Sequence, residues 1–192
     1  MKSILPVFGA LLLSGCGVFG AQTVEVAPYE TLTKQDQFEL RHYDSLVLVT
    51  TPMKSQDGSD GAFSSLFGYI SGENEQDQKI AMTAPVFMDK GTSDQNMMSF
   101  VLPRDFSFEN APIPKNAAVE LEEIEDYTVA VITFNGRLSE GNIDENKAML
   151  NDWVTQQNYT VTGDAKTAGY NAPWTIPTFR RNEILIPVEK PE

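Results

Sequence analysis

The chain has 192 residues, with 27 acidic against 14 basic side chains, a formal charge of -13, one cysteine and one histidine. Such an acidic chain is repelled by phosphate backbones, so no nucleic-acid partner is expected, and insertion into anionic lipid headgroups is disfavoured too. The single cysteine excludes internal disulfides and cysteine metal clusters, and the lone His42 is the one histidine that a catalytic triad could use.

Met1-Lys2 followed by the apolar run Ile4 to Leu13 reads as a secretory signal, since the run is too short to span a bilayer comfortably. Leu13-Ser14-Gly15-Cys16 resembles the lipobox of bacterial lipoproteins, which implies cleavage before Cys16 and its diacylation. The expected organisation is a lipoprotein signal peptide over 1–15, a lipidated tether over 16–28 and a folded domain over 29–192. Two acyl chains anchor a protein stably without a spanning segment, so membrane attachment is expected through the lipid alone. No aspartate follows Cys16, which in a Gram-negative host favours the outer membrane, facing the periplasm. Loss of Lys2 with the signal takes the charge from -13 to -14. About 165 residues remain, enough for one domain with a substantial core.

Along that domain, "FELRHYDSLVLVTT" from Phe38 alternates apolar residues at Phe38, Leu40, Leu46 and Leu48, with a turn expected at Asp44-Ser45 between two strands. A helix follows, capped by Ser59 or Asp60, with Phe63, Leu66, Phe67 and Ile70 at helical spacing and Gly72 as its stop. Ile80 to Met88 reads as a core strand bent by Pro85, and Ser99 to Pro103 as a closing strand. The Pro- and Asn-rich stretch from Asp105 to Asn116 is the expected connection to a second half. "VELEEIEDYTVAVITF" from Val119 repeats the first strand pattern at an offset of roughly eighty residues. Ile143, Leu150, Trp153 and Val154 mark a second helix opened by Asn142 or Asp144; Ala172-Pro173 answers Ala84-Pro85, and Glu183 to Pro187 closes the half. The repeat predicts two ββαβ-like halves about an approximate twofold axis, forming one curved sheet or distorted barrel with two helices outside.

"FELRHYDS", "FSSLFGYISGENEQDQKIAMTAPV", "AGYNAP" and "RRNEI" resemble the corresponding blocks of the SOUL haem-binding proteins, across Tyr29 to Val188. The resemblance implies an α+β fold, a distorted antiparallel β-barrel of two pseudo-twofold-related halves with two flanking helices, similar also to GyrI-like domains. It implies reversible, non-catalytic binding of haem b or another tetrapyrrole as the small-molecule partner.

A haem needs apolar walls, a cationic or donor-rich rim and, optionally, an axial ligand. His42 matches the place where some family members carry a proposed iron ligand; the alternative is a hydrogen-bonded structural histidine. Met82, with Met88, Met97 and Met98, offers thioether sulfur or, equally, adaptable core filling. Phe63, Leu66 and Phe67, interleaved with small residues, suit a flat ligand's wall or plain packing. Arg180 and Arg181, with Arg41 and Lys79, are cations for a propionate rim, or structural partners of the many acids. No catalytic constellation stands out. The competing readings are a GyrI-like hydrolase or sequestering module using Glu183, Tyr170 and Trp174, and a structural envelope lipoprotein without a small ligand.

Overall fold

Two fifteen-residue strands organise the molecule. The computed structural model describes residues 24–54, 61–90 and 95–190; the expected signal, Cys16 and the helix caps Ser59 and Asp60 lie outside the described residues. The elements run β1 (Glu25–Val26), β2 (Glu30–Gln35), β3 (Phe38–Pro52), α1 (Ala62–Ser71), β4 (Thr83–Ala84), β5 (Val86–Lys90), β6 (Asn96–Val101), β7 (Glu120–Phe134), α2 (Glu140–Gln156), β8 (Thr160–Val161), β9 (Lys166–Gly169), a 3-10 turn at Pro177–Phe179 and β10 (Asn182–Glu189).

Within the first half the order is β3-β6-β5, and within the second β7-β10-β9, all antiparallel. Two seams join the halves: β3 with β7, from Phe38↔Ile132 to Thr50↔Glu120, and β5 with β9, around Phe87↔Ala168. Each seam pairs one half's strand with its counterpart, and together they close a six-stranded antiparallel barrel flanked by α1 and α2. The predicted fold class and twofold repeat are therefore observed, but each half runs strand-helix-strand-strand rather than ββαβ, because its two expected opening strands are one long strand.

β3 and β7 are continuous, so no turn forms at Asp44-Ser45. The side-chain alternation reverses there instead. Phe38 and Leu40 pack with α2, whereas Val47 and Val49 pack with α1. Tyr43, Leu46 and Leu48 join Phe87, Val101, Val129, Val131, Ala168 and Leu185 in a cluster drawn from all six strands, which fills the barrel. β7 behaves in the same way about Asp126, whose φ of 50° an aspartate tolerates. Each long strand thus serves both helices, because a local reversal of facing lets one strand bury opposite sides along its length.

Four further readings are corrected. Ile80 to Met88 is not one strand: β4 pairs with β1, and only after Pro85 does β5 enter the barrel. Ala84-Pro85 precedes β5, whereas Ala172-Pro173 follows β9, so the two dipeptides are not structural counterparts. α2 begins at Glu140, ahead of Asn142, whose side-chain amide instead donates to the Arg137 carbonyl at 2.9 Å. Packed contacts also begin ahead of Tyr29, since the buried Ala27 donates its N–H to the Ala84 carbonyl at 3.0 Å.

α1 buries Ala62, Leu66, Tyr69 and Ile70 and ends at Gly72, whose φ of 116° favours glycine. The polar run behind it is anchored by Asn74, fully buried, which donates to the Tyr69 and Gln78 carbonyls at 3.0 and 2.7 Å. Tyr69 in turn donates to the Pro112 carbonyl at 2.8 Å, fastening the 102–119 connection onto α1.

Candidate functional site: an outer groove and a buried ionic knot

The outer face between the helices runs over β5 and β9. On β5, Phe87 points into the barrel, so its neighbours Val86 and Met88 point out, partly buried against the α1 cluster. On β9, Gly169 presents no side chain; a Cβ there would stand 3.6 Å from Leu138 Cδ1, so Leu138 covers the sheet just before α2. A cleft of about 380 Å³ lies along this face, lined by Met53, Met88, Leu138 and Ile143 with Asp89 and Asp144 among its polar members.

α1 borders the same face. Phe63 and Phe67 are 39% and 50% exposed, lie nearly parallel with centroids 6.2 Å apart, and Phe63 meets Phe100 edge-on at 5.1 Å. Phe100 pairs with Val86, and Val86 pairs with Gly169, so two strand steps lead from under α1 to the start of the β9–β10 connection. That connection, 170–181, exposes Trp174, Ile176 and Phe179 at 86%, 61% and 75%. Its backbone is braced: Arg180 Nε donates to the Thr175 carbonyl at 2.8 Å and Nη2 to that of Pro173, while Gly136 N–H donates to the Pro177 carbonyl at 2.9 Å.

At one end of the barrel lies an ionic knot. Glu183 is fully buried, and its carboxylate accepts from Arg41 Nη1 and Nη2 at 2.7 and 3.0 Å, Arg181 Nε and Nη2 at 3.0 and 2.6 Å, Tyr170 at 2.8 Å and Thr133 at 3.2 Å. Arg41, equally buried, also donates from Nε to Glu39 at 2.6 Å and lies 4.2 Å from the Tyr29 ring centre; Arg181 covers the Tyr170 ring at 4.0 Å. Burial alone pushes the Glu183 carboxyl up, but hydrogen bonds and charge from Arg41, then Arg181, outweigh it and hold the group below the ordinary carboxylate range. Burial also pushes the Tyr170 hydroxyl up, and the Glu183 charge adds to the rise. A carboxylate so engaged keeps its charge and offers no free lone pair to a substrate proton. The knot opens on a polar cleft of about 570 Å³ whose lining includes Lys34, Gln37 and Thr133.

The residues singled out from sequence thus fall into separate neighbourhoods. Phe63, Phe67 and the buried Leu66 belong to α1, and Met82 packs against the same cluster. Arg180 braces the exposed connection, and Arg181 adjoins it while anchoring Glu183. Arg41 is inside the barrel and Lys79 lies beside a different cleft. His42 shares the α2-facing side of β3 with Phe38 and Leu40; its Nδ1 is 3.1 Å from Thr128 Oγ1 and its Nε2 3.2 Å from Asp44 Oδ1. Glu183 and Tyr170 are hydrogen-bonded to each other, whereas Trp174 stands out in solvent. Sequence reasoning passed over Leu138, Ile176 and Phe179. Leu138 is an isolated apolar residue between β7 and α2, and Ile176 and Phe179 stand among prolines, so none carries a periodicity, and their proximity to the groove arises through register.

The family profile described as SOUL heme-binding protein matches residues 24–187. Heme-binding protein 2 of Homo sapiens is 31% identical over 182 residues, covering 86% of this chain and 87% of the relative. Heme-binding protein 1 of Sus scrofa is 28% identical over 183 residues, covering 88% and 94%. Among solved structures, a hydrolase from Listeria innocua superposes with a TM-score of 0.62 at 11% identity over 82% of this chain and 94% of that one, and the EcmrR C-terminal domain with 0.59 at 15% over 81% and 98%. These last likenesses concern the fold alone. With the profile covering nearly the whole described domain and the paired halves closing as they do, the chain belongs to the SOUL haem-binding protein family.

Proposed function

We propose that this protein binds haem or a related tetrapyrrole, reversibly and without catalysis, while anchored to the cell envelope through acylated Cys16, at the outer membrane facing the periplasm in a Gram-negative host. The observation that carries the reading is the outer face, where half-exposed stacked phenylalanines of α1 meet Phe100 beside its strand partner Val86, two strand steps from the arginine-bearing connection, with the cleft lined by Met53, Met88, Leu138 and Ile143 on the same face. Names of relatives at 28–31% identity support the ligand class.

The residues present fit a flat hydrophobe with acidic tails. Phe63 and Phe67 supply a ring-sized apolar wall that is already half dehydrated, so little side-chain ordering remains to oppose binding. Arg180 and Arg181 supply positive charge for carboxylates at this rim, with the Nε and Nη2 groups of Arg180 held by loop carbonyls and those of Arg181 by Glu183. Met82 and Met88 are partly buried against the α1 cluster, of which Met53 and Met98 are buried members; His42, on the α2 side and engaged by Thr128 and Asp44, has no part in the reading. The iron would supply the axial coordination chemistry, and the protein the wall and the rim. Enzymatic use of Glu183 is disfavoured by its saturation.

Titrating the full chain with hemin and following the Soret band tests the proposal. A saturable one-to-one shift is expected, with Phe63→Ser/Phe67→Ser weakening affinity about tenfold or more, the equivalent of losing part of two aromatic contacts. No saturable shift, or a shift indifferent to that double substitution, overturns it.

A further inference from the structure

The β9–β10 connection departs from the chain's own symmetry. Its first-half counterpart, between β5 and β6, is five residues long, whereas 170–181 contains twelve. The added length displays Trp174, Ile176 and Phe179, the first two among the most exposed large apolar side chains of the described residues together with Phe179 itself. Solvent-facing rings of this size are costly unless something covers them. They are also held out deliberately: carbonyls of Pro173 and Thr175 are occupied by Arg180, that of Pro177 by Gly136, and those of Ala172 and Ile176 by backbone N–H groups of Thr175 and Phe179. With these five carbonyls satisfied, the loop exposes fewer free acceptors to a medium that offers few hydrogen bonds.

Charge sets the loop apart as well. From Ala165 to Asn182 there is no acidic residue in a chain of net charge -13, and of the basic residues there Lys166 pairs with Asp89 and Arg181 with Glu183, which leaves Arg180, held by backbone carbonyls, as the loop's own cation. An aromatic tip above arginines is the composition of a membrane-interface element, with rings at headgroup depth and guanidinium groups reaching phosphates. The chain ahead of the fold supplies the second argument. Cys16 precedes Val24, where the described domain begins, by eight residues. At ~3.3–3.6 Å per residue that tether reaches at most about 26–29 Å, so an anchored domain is held against the bilayer and must turn some face to it.

We infer that the 170–181 loop is a bilayer-contacting element, with Trp174, Ile176 and Phe179 seated in the interface and Arg180 at the phosphate level. The inference goes beyond tetrapyrrole binding and does not rest on it, but it rests on the proposed acyl anchor at Cys16. The test uses the full chain, free of hemin, incorporated into vesicles of phosphatidylcholine and phosphatidylglycerol with or without brominated acyl chains. Trp174 and the buried Trp153 are the two tryptophans, so Trp174→Phe isolates the second signal. Expected is bromolipid quenching of the component that Trp174→Phe removes, together with protection of that component from aqueous acrylamide. In Ile176→Ser/Phe179→Ser both effects should fall severalfold while Trp153 emission stays unchanged, reporting an intact fold. Equal acrylamide access with and without vesicles overturns the inference. So does protection without bromolipid quenching, which would mean that another protein surface covers the loop.

Discussion

Glu183→Gln keeps the size of a side chain while removing the charge on which two guanidinium groups converge. In the folded protein Glu183 and Arg41 are withdrawn from water, and the exchange leaves Arg41 with Glu39 alone as its anionic partner, 2.6 Å from Nε. Breaking a buried ion pair by removing one member costs roughly 3–5 kcal/mol. Because Glu39 remains, the lower figure of about 3 kcal/mol is expected, a large share of a total stability of roughly 5–15 kcal/mol. With a urea dependence of about 2 kcal/mol per molar, the unfolding midpoint of the full chain should drop by about 1.5 M. The pH dependence supplies an independent check. The folded carboxyl lies below its unfolded value, so its contribution is present above the unfolded carboxylate range and is lost as pH falls through the folded value. The gap between wild type and Glu183→Gln should therefore close on acidification. A midpoint change under about 0.3 M, or a gap that widens in acid, would refute the assignment of Glu183 as the electrostatic keystone of the barrel end.

Trp153→Ala should cost about 3–5 kcal/mol by chemical denaturation, because the ring is buried, stacks on Phe38 at 5.5 Å and donates to Gln35 at 3.0 Å; Trp174→Ser should change stability by less than about 0.5 kcal/mol. Gly72→Ala should lower stability by about 1–2 kcal/mol from backbone strain at φ 116°, since the nearest atom to an added Cβ, the Asp77 carbonyl oxygen at 3.5 Å, is an ordinary contact. His42→Ala should leave the hemin-induced Soret shift in place; its loss would bring the α2-facing side of β3 into the site and displace the α1 groove.

Local chemistry alone made much of this protein legible. The helical spacing of Leu66 and Ile70, the stop at Gly72 and the repeated strand pattern at Phe38 and Val119 are decided within a few neighbouring residues, so one sequence carries them. The motifs "KIAMTAPV" and "RRNEI" likewise pointed to the family that the profile match established. Facing and partnership needed the closed barrel. Asp44-Ser45 has turn chemistry, yet the pairing of β3 with β7 along their length holds the chain extended and turns the local preference into a reversal of sides. Arg41 reads as a surface cation by type, but its strand parity aims it inward, where Glu183, some 140 residues away in sequence, meets it. The exposure of Trp174, Ile176 and Phe179 was also invisible, because an apolar residue's burial depends on what the remainder of the chain can bring over it. Here the β7–α2 connection holds the loop's backbone, through Asn135 and Gly136, and leaves its apolar side chains to the outside.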